Sequence, residues 1–228
     1  MKKLLFVFAL TATTAIGTQA QVYVQGGLNL ANITKTTDGQ TEKNNILPSF
    51  NVGILGRLKL DPMFALESGL LLTGHGAKAE TYFNSGNYTK TKFNPIYLQV
   101  PLNAVVKIAL DKGSGIFFNA GPYVAMGIGG KSTREDRYLG ITSNSSSSIK
   151  FSNDDPFTSQ QDDAAYDKLK RFDFGLNFGG GFEFKHLILK ANYGLGLAKI
   201  NSTQSNNEAN DKNKYRTVSF SVGIPLGN

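Results

Sequence analysis

The sequence offers few residues of the kinds that perform chemistry, since it contains two histidines and no cysteine. A Ser-His-Asp arrangement would need His75 or His186 beside a carboxylate, a hydroxyl and a pocket. The strand pattern described below places His75 at the external end of a strand and His186 in a tight turn at the opposite end. We therefore predict two spare rim histidines and no enzyme. An activity on phospholipid or lipid A that depended on His75 would be the alternative.

Four aspartates are the candidates for a metal site, because hard cations such as calcium take clustered carboxylates. They are Asp154, Asp155, Asp162 and Asp163. Their spacing fits no calcium-loop pattern and the segment is rich in Ser and Asn, which favours a solvated loop. The glycine group at 127–130 ends a strand instead of opening a helix, so it gives no phosphate cradle. The sequence therefore predicts no catalytic residue, no metal and no cofactor.

The amino-terminal segment predicts a secretory signal. It reads MKKLLFVFAL, which is two lysines followed by an apolar run, and small residues lead up to Ala20. This order is typical of a signal peptide over residues 1–20 that is cleaved after Ala20. The apolar run at 4–10 is too short to cross about 30 Å of hydrocarbon. The remaining residues, 21–228, are predicted to form one domain.

The chain is basic, with a formal net charge of +7. The charges do not gather on one face, because the longest predicted loop, residues 131–169, mixes bases with acids. We therefore expect no binding of nucleic acid. The basic surplus is better assigned to solubility or to association with anionic surfaces.

Period-two alternation dominates the rest of the chain. Residues 96–108, IYLQVPLNAVVKI, place an apolar residue at every second position, which indicates a strand and excludes a helix. The same pattern predicts eight strands, near 22–32, 49–60, 63–76, 93–109, 115–130, 171–185, 187–200 and 214–226. Pro101 and Pro122 fall inside two of them, where we expect a bulge or a local bend.

The connections alternate between tight turns and long polar links. The long links cover roughly 33–48, 77–92, 131–170 and 201–213, and the SNSSSS run at 143–148 is expected to be mobile. In an up-and-down order, all short turns lie at one end and all long links at the other. Outer-membrane barrels show this asymmetry, with long external loops.

The stretch RFDFGLNFGGGFEF, residues 171–184, indicates which way the strands face. One face carries five phenylalanines, while the other carries Asp, Asn, Glu and several glycines. Glycine weakens a strand and is used where something must approach closely, as inside a narrow eight-stranded barrel. We predict an eight-stranded antiparallel up-and-down transmembrane β-barrel with its Phe face toward lipid. A soluble periplasmic barrel that binds a small apolar ligand is the alternative.

Two sets of side chains are candidates for a functional role. Counting residues from each short turn brings five inward charges into neighbouring layers near the periplasmic end: Arg57, Glu67, Lys107, Glu183 and Lys190. Buried charges are tolerated when paired, so we predict a network that plugs the lumen. The second set consists of the four large aromatic residues of the longest loop, which either contact a partner or pack over the barrel mouth: Tyr138, Phe151, Phe157 and Tyr166.

Six segments, in order, resemble the PorT-like outer-membrane β-barrel family of Bacteroidetes. They are GGLNLANI (26–33), FALESGLLLTGHGAK (64–78), YLQVPLNAVVKI (97–108), FNAGPYVAMGIGGK (118–131), DFGLNFGGGFEF (173–184) and YGLGLAKI (193–200). The resemblance implies an eight-stranded barrel in the cell outer membrane, and most members of the family have no assigned activity. One member is implicated in a secretion system for surface proteins, so a barrel component of such a system is a second alternative function. The expected partners are outer-membrane lipid and an unidentified protein or surface partner at the external loops, and the expected state is a monomer.

Overall fold

The computed structural model describes seven stretches of the chain: residues 20–37, 40–43, 46–83, 86–110, 113–152, 168–198 and 214–226. The predicted signal peptide, apart from Ala20, lies outside these residues. In the described stretches, no helix has both the length and the apolar character needed to cross a membrane.

Thirteen strands are described. In chain order they are β1 (Ala20–Thr37), β2 (Gln40–Lys43), β3 (Leu47–Lys59), β4 (Phe64–Gly74), β5 (Ala77–Tyr82), β6 (Tyr88–Ala109), β7 (Gly115–Tyr138), β8 (Ile141–Ser148), β9 (Lys150–Ser152), β10 (Lys168–Lys170), β11 (Phe172–Glu183), β12 (Ile188–Gly196) and β13 (Lys214–Leu226).

Eight of these strands close into a ring. Going round it, β1 pairs with β3, then follow β4, β6, β7, β11, β12 and β13, and β13 pairs back onto β1. Every pairing in the ring is antiparallel, and every strand except the two at the seam lies beside its sequence neighbours. The predicted eight-stranded up-and-down barrel is confirmed. A closed ring leaves no open sheet edge, which hydrocarbon would not tolerate.

Strand β11 shows how the two faces differ. Phe172 and Phe182 point outward and are 58% and 50% exposed, whereas Asp173 and Glu183 point inward and are buried. The other ring strands repeat this arrangement, with Leu, Ile, Val and Phe on the exterior. The barrel is therefore apolar outside, while its interior combines charged and amide side chains with buried apolar and aromatic ones.

At the end of the barrel that holds the long links, β6 and β7 extend beyond the ring, and β5 and β8 pair with these extensions to make a part of four strands. There β5 pairs with the first half of β6, β6 pairs with the last part of β7, and β7 pairs with β8. The expectation that 143–148 is mobile is wrong, because this run forms most of β8. Its backbone pairs with β7 across a two-residue turn at Leu139 and Gly140, whose φ values of 49° and 81° suit a tight hairpin. We call this four-stranded part the external sheet.

Neither proline produces a register shift in the β6–β7 ladder, so the expectation of a bulge is wrong, while the alternative expectation of a local bend stays a prediction. The register of β6 on β7 is unchanged from Pro101↔Tyr123 to Ala104↔Ala120, although no pair is assigned between them. Pro122 lies in that same gap, so the two missing N–H groups fall at one level of one ladder. The Ser68 hydroxyl donates to the Pro101 carbonyl at 2.8 Å. The register shift lies elsewhere in this ladder, at Ile96/Tyr97.

Candidate functional site

Five charged residues meet inside the barrel near the short turns and form what we call the charge layer: Arg57, Glu67, Lys107, Glu183 and Lys190. Arg57 donates to Glu67 at 2.8 Å and to Glu183 at 2.6 Å. Lys190 contacts Glu67 at 2.5 Å, and Lys107 contacts Glu183 at 2.6 Å. The structure thus brings together all five charges that the sequence placed near one another.

Strand register explains why these side chains meet. Arg57 and Glu67 are direct partners in the β3–β4 ladder, equally far from the turn that joins those strands. Lys190 and Glu183 reach the same level from the β11–β12 hairpin, on the far wall of the barrel. A lumen of eight strands is narrow enough for these side chains to touch across it. The charge layer is therefore a direct product of turn position and inward parity.

Glu67 is the centre of the charge layer and is fully buried. Besides Arg57 and Lys190, it accepts hydrogen bonds from the Tyr23 hydroxyl at 2.8 Å and from the Asn103 amide at 3.1 Å. The Arg57 guanidinium also lies 4.6 Å from the centre of the Phe117 ring. Arginine on an aromatic face gains a cation–π interaction, which strengthens in a desolvated site. The charge layer is thus held by contacts with aromatic rings as well as by ion pairs.

A polar middle section lies above the charge layer. Gln25 donates to Asn51 at 3.0 Å, and Asn51 donates to Asn29 at 2.7 Å. Asn29 in turn donates to Thr73 at 2.8 Å, and the Ser221 hydroxyl donates to Asn51 at 2.9 Å. A cavity of about 50 Å³ lies among these side chains. These hydrogen bonds run along one wall of the barrel, over the neighbouring strands β13, β1, β3 and β4.

Above the polar section, buried apolar and aromatic residues form what we call the aromatic cluster. Its buried members are Phe93, Tyr97, Tyr123, Ala125, Ile149, Leu169 and Tyr215. The Tyr97 and Tyr215 hydroxyls lie 3.2 Å apart, and Tyr123 donates to Asp173 at 2.9 Å. Buried tyrosines need such partners for their polar ends. The sequence analysis missed this cluster, although inward tyrosines in the alternating strands could have indicated it.

His75 is not a spare rim histidine, so that prediction is wrong. It is 5% exposed, and its ring centre lies 5.5 Å from that of Tyr97 and 5.1 Å from that of Tyr215. Its Nδ1 lies 3.3 Å from the Thr217 hydroxyl. The residues after β4 turn inward at the mouth, which the sequence position of His75 could not reveal. His186 is exposed in the short turn, as predicted.

The four loop aromatics have different positions. Tyr138 is 67% exposed at the end of β7. Phe151, in β9, packs edge-on against Tyr97 with ring centres 5.4 Å apart. Its ring lies where a side chain at Gly127 would be, so the missing Cβ makes room for it. Phe157 and Tyr166 lie outside the described residues. Phe151 therefore packs over the barrel mouth, which was one of the two expectations for this set.

The tip of the β7–β8 hairpin exposes apolar residues that the sequence analysis did not select. Leu139 is 85% exposed and Ile141 is 75% exposed, next to Tyr138. The Asn87 side chain accepts a hydrogen bond from the Leu139 amide at 3.0 Å, which ties the tip to the neighbouring hairpin. The only cue in the sequence is Tyr-Leu-Gly-Ile between two polar runs.

Groups of three or more histidine or acidic side chains that could hold a metal ion do not occur in the described parts of the chain. The four loop aspartates, at 154–155 and 162–163, lie outside those parts. What the described lumen offers is a stack of paired charges, amides and rings. These side chains pack against one another across the interior of the barrel.

Residues 14–202 match a family described as "Outer membrane protein beta-barrel domain". No curated protein sequence matches the chain. Among solved structures, the chain is similar to the attachment invasion locus protein Ail of Yersinia pestis, with 13% identity, a TM-score of 0.39, and coverage of 91% of this chain and 99% of that one. Neisserial surface protein A has 11% identity and a TM-score of 0.39, with coverage of 91% of this chain and 99% of that one. The outer membrane protein OprG of Pseudomonas aeruginosa has 10% identity and a TM-score of 0.38, with coverage of 91% of this chain and 94% of that one.

Proposed function

Because the chain belongs to this outer membrane β-barrel family, we propose that it is a plugged barrel that anchors a surface-interaction element in the outer membrane. Family membership, together with the apolar exterior, overturns the alternative of a soluble periplasmic barrel. Membership of the PorT-like branch of Bacteroidetes is part of this proposal and rests on the six ordered segments. The role is structural and not enzymatic.

The hairpin tip carries the proposal of a surface role. Tyr138, Leu139 and Ile141 present large apolar side chains at the end of the external sheet, far from the aromatic cluster. Apolar groups exposed together on a polar element mark interaction sites. Leu139 also holds a positive φ, an uncommon conformation for a residue with a branched side chain. A rigid barrel that presents such a tip resembles other scaffolds whose loops carry binding residues.

The plugged lumen is supported by the two closures in series. The charge layer fills the lumen near the short turns, and the aromatic cluster fills it near the external sheet. Eight-stranded barrels have room for little besides their own side chains. We therefore assign the function to the surface and not to passage through the lumen.

Single cysteines can test which end faces outward, because the natural chain has none. Ile141→Cys lies at the hairpin tip, and His186→Cys is its control in an exposed short turn. A maleimide that cannot cross membranes should label Ile141→Cys in intact cells, and His186→Cys only after lysis. Labelling of His186→Cys alone in intact cells would place the hairpins inside and end the proposal.

The same variants test for a partner at the tip. A bound partner should slow labelling of Ile141→Cys in cells relative to the purified protein in detergent. Ser145→Cys, exposed further along β8, is the control and should react at similar rates in both settings. Equal rates for Ile141→Cys in cells and in detergent would refute a role of the tip in binding.

A further inference from the structure

The outward face of the external sheet carries an ordered set of cations just above the apolar band. Ile96 belongs to the lipid-facing row of β6, and Lys92 lies on the same side of the same strand, four residues earlier. Phe93 points the other way, into the aromatic cluster. Lys92 therefore lies on the continuation of the lipid-facing surface.

Register aligns cations and hydroxyls across the four strands. Lys78 and Lys92 are direct cross-strand partners, and the row continues through Thr133 to Ser146. In the next row toward the membrane, Lys131 stands opposite Asn94 and Ser148. Neither row contains a carboxylate. Like charges placed directly opposite each other destabilise a sheet, so the Lys78–Lys92 pair favours a nearby anion, and only Lys78 has one in the described residues, Glu80 of the next row.

The first carboxylates, Glu80 and Glu135, lie one row further from the membrane, and each accepts a hydrogen bond from a tyrosine hydroxyl. Glu80 accepts from the Tyr82 hydroxyl at 2.9 Å and contacts Lys78 at 3.4 Å. Glu135 accepts from the Tyr88 hydroxyl at 2.7 Å. In the described parts of the chain, no ion pair within 4.0 Å is found for Lys92 or Lys131. The two rows nearest the lipid thus retain most of their positive charge.

The height of these rows matches the lipid headgroups. A strand rises about 3.3 Å per residue and is tilted by about 45° in such barrels. Along β6, Asn94 therefore lies about 5 Å and Lys92 about 9 Å above Ile96. Their cross-strand partners Lys131 and Lys78 lie within about 3 Å of these heights, because the tilt offsets neighbouring strands. The polar region on each side of the hydrocarbon is roughly 5–8 Å deep. Long lysine side chains at these heights reach the phosphate level.

We propose that Lys78, Lys92 and Lys131 bind the phosphate groups of anionic lipid in the outer leaflet. A groove of about 490 Å³ lies on this part of the sheet, and Lys78 and Lys92 line its membrane side with the hydroxyls of Thr133 and Ser146. Glu80 and Glu135 line its outer side, and Lys131 lies one row closer to the membrane, outside the groove. Lipid is the occupant because the rows continue the lipid-facing surface of β6 without interruption. The inference rests on the outer-membrane location with the external sheet outside. It does not depend on a partner at the hairpin tip.

The test uses the purified full chain in neutral detergent, with binding followed by native mass spectrometry. The probe is lipid A with two phosphates, and the matched probe is the same lipid after dephosphorylation. The variant Lys78→Gln/Lys92→Gln/Lys131→Gln should bind the phosphorylated lipid about tenfold more weakly or worse, since each cation near an anionic surface contributes substantially. The effect should shrink in high salt, which screens exposed charges.

Two control variants separate charge from structure. Lys59→Gln/Lys150→Gln/Lys185→Gln removes three other exposed lysines and should leave affinity unchanged. Lys78→Arg/Lys92→Arg/Lys131→Arg keeps the charge and should retain binding. Equal losses in the two Gln variants, or equal binding of the two lipids, would overturn the proposal. Binding of inorganic phosphate or of a sulfated glycan as tight as that of the lipid would also overturn it. The cysteine labelling described above reports separately whether the sheet is outside.

Discussion

Replacing Glu67 by alanine tests whether the charge layer holds the barrel together. Glu67 is fully buried and accepts hydrogen bonds from four side chains, including two cations. Without it, Lys190 is left buried with no other described ion pair, whereas Arg57 retains Glu183. Removing one partner of a buried ion pair costs about 3–5 kcal/mol. We expect Glu67→Ala to lower the free energy of unfolding by that amount and to lower the melting temperature.

Glu183→Ala is the matched control for this perturbation. Its partner Lys107 has a side chain that is 27% exposed and can turn toward water, while Arg57 keeps its contact with Glu67. The loss should therefore be smaller, about 1.5–3 kcal/mol, the range for hydrogen bonds to charged groups. Lys190→Met in the Glu67→Ala background should recover part of the stability, because it removes the charge that Glu67→Ala leaves unpaired.

The assay is urea unfolding in detergent, followed by far-ultraviolet circular dichroism because the chain has no tryptophan. Heat-dependent migration on gels gives a second measure of folding. A Glu67→Ala variant within about 1 kcal/mol of the natural chain would refute the reasoning, since a buried cation left alone costs more than this. An equal loss in Glu183→Ala would show that burial of Lys190 is not the cause.

Three further predictions concern the external sheet and the mouth. Deletion of residues 140–165 should leave assembly intact, because it removes no part of a ring strand. It should lower the melting temperature, because the buried Ile149 is lost. Failure of this variant to fold in detergent would show that the loop is structural. Gly127→Val should displace Phe151 from Tyr97, so adding Phe151→Ala to this variant should lower the melting temperature little further. If the two substitutions lower the melting temperature by the sum of their separate effects, the contact is contradicted. Hydrogen bonds from Arg134 and Thr89 hold the pKa of Asp136 below its ordinary value, so their contribution is complete above about pH 4 and is lost as the pH falls through the lowered pKa. Amide exchange in the β7–β8 hairpin, corrected for intrinsic rates, should therefore accelerate at acid pH while the ring strands stay protected, and equal protection of the hairpin at both pH values would refute this.

The sequence predicted the ring well because its information there is local. Alternation assigns each strand a face, and distance from a short turn assigns each residue a height, which was enough to group Arg57, Glu67 and Lys190. His75 could not be placed this way, since its burial depends on Tyr97 and Tyr215 from two other strands. The run at 143–148 lacks apolar alternation, because β8 is exposed on both faces in the described part of the chain and its backbone pairs with β7.

Electrical recording in planar bilayers tests the central claim, a plugged barrel, most directly. The purified natural chain, inserted in a planar membrane under an applied voltage, should show no steady conductance. In our proposal both layers would have to open together for ions to pass, since the charge layer and the aromatic cluster pack inside the barrel at different heights. A steady conductance like that of a wide porin would contradict the account.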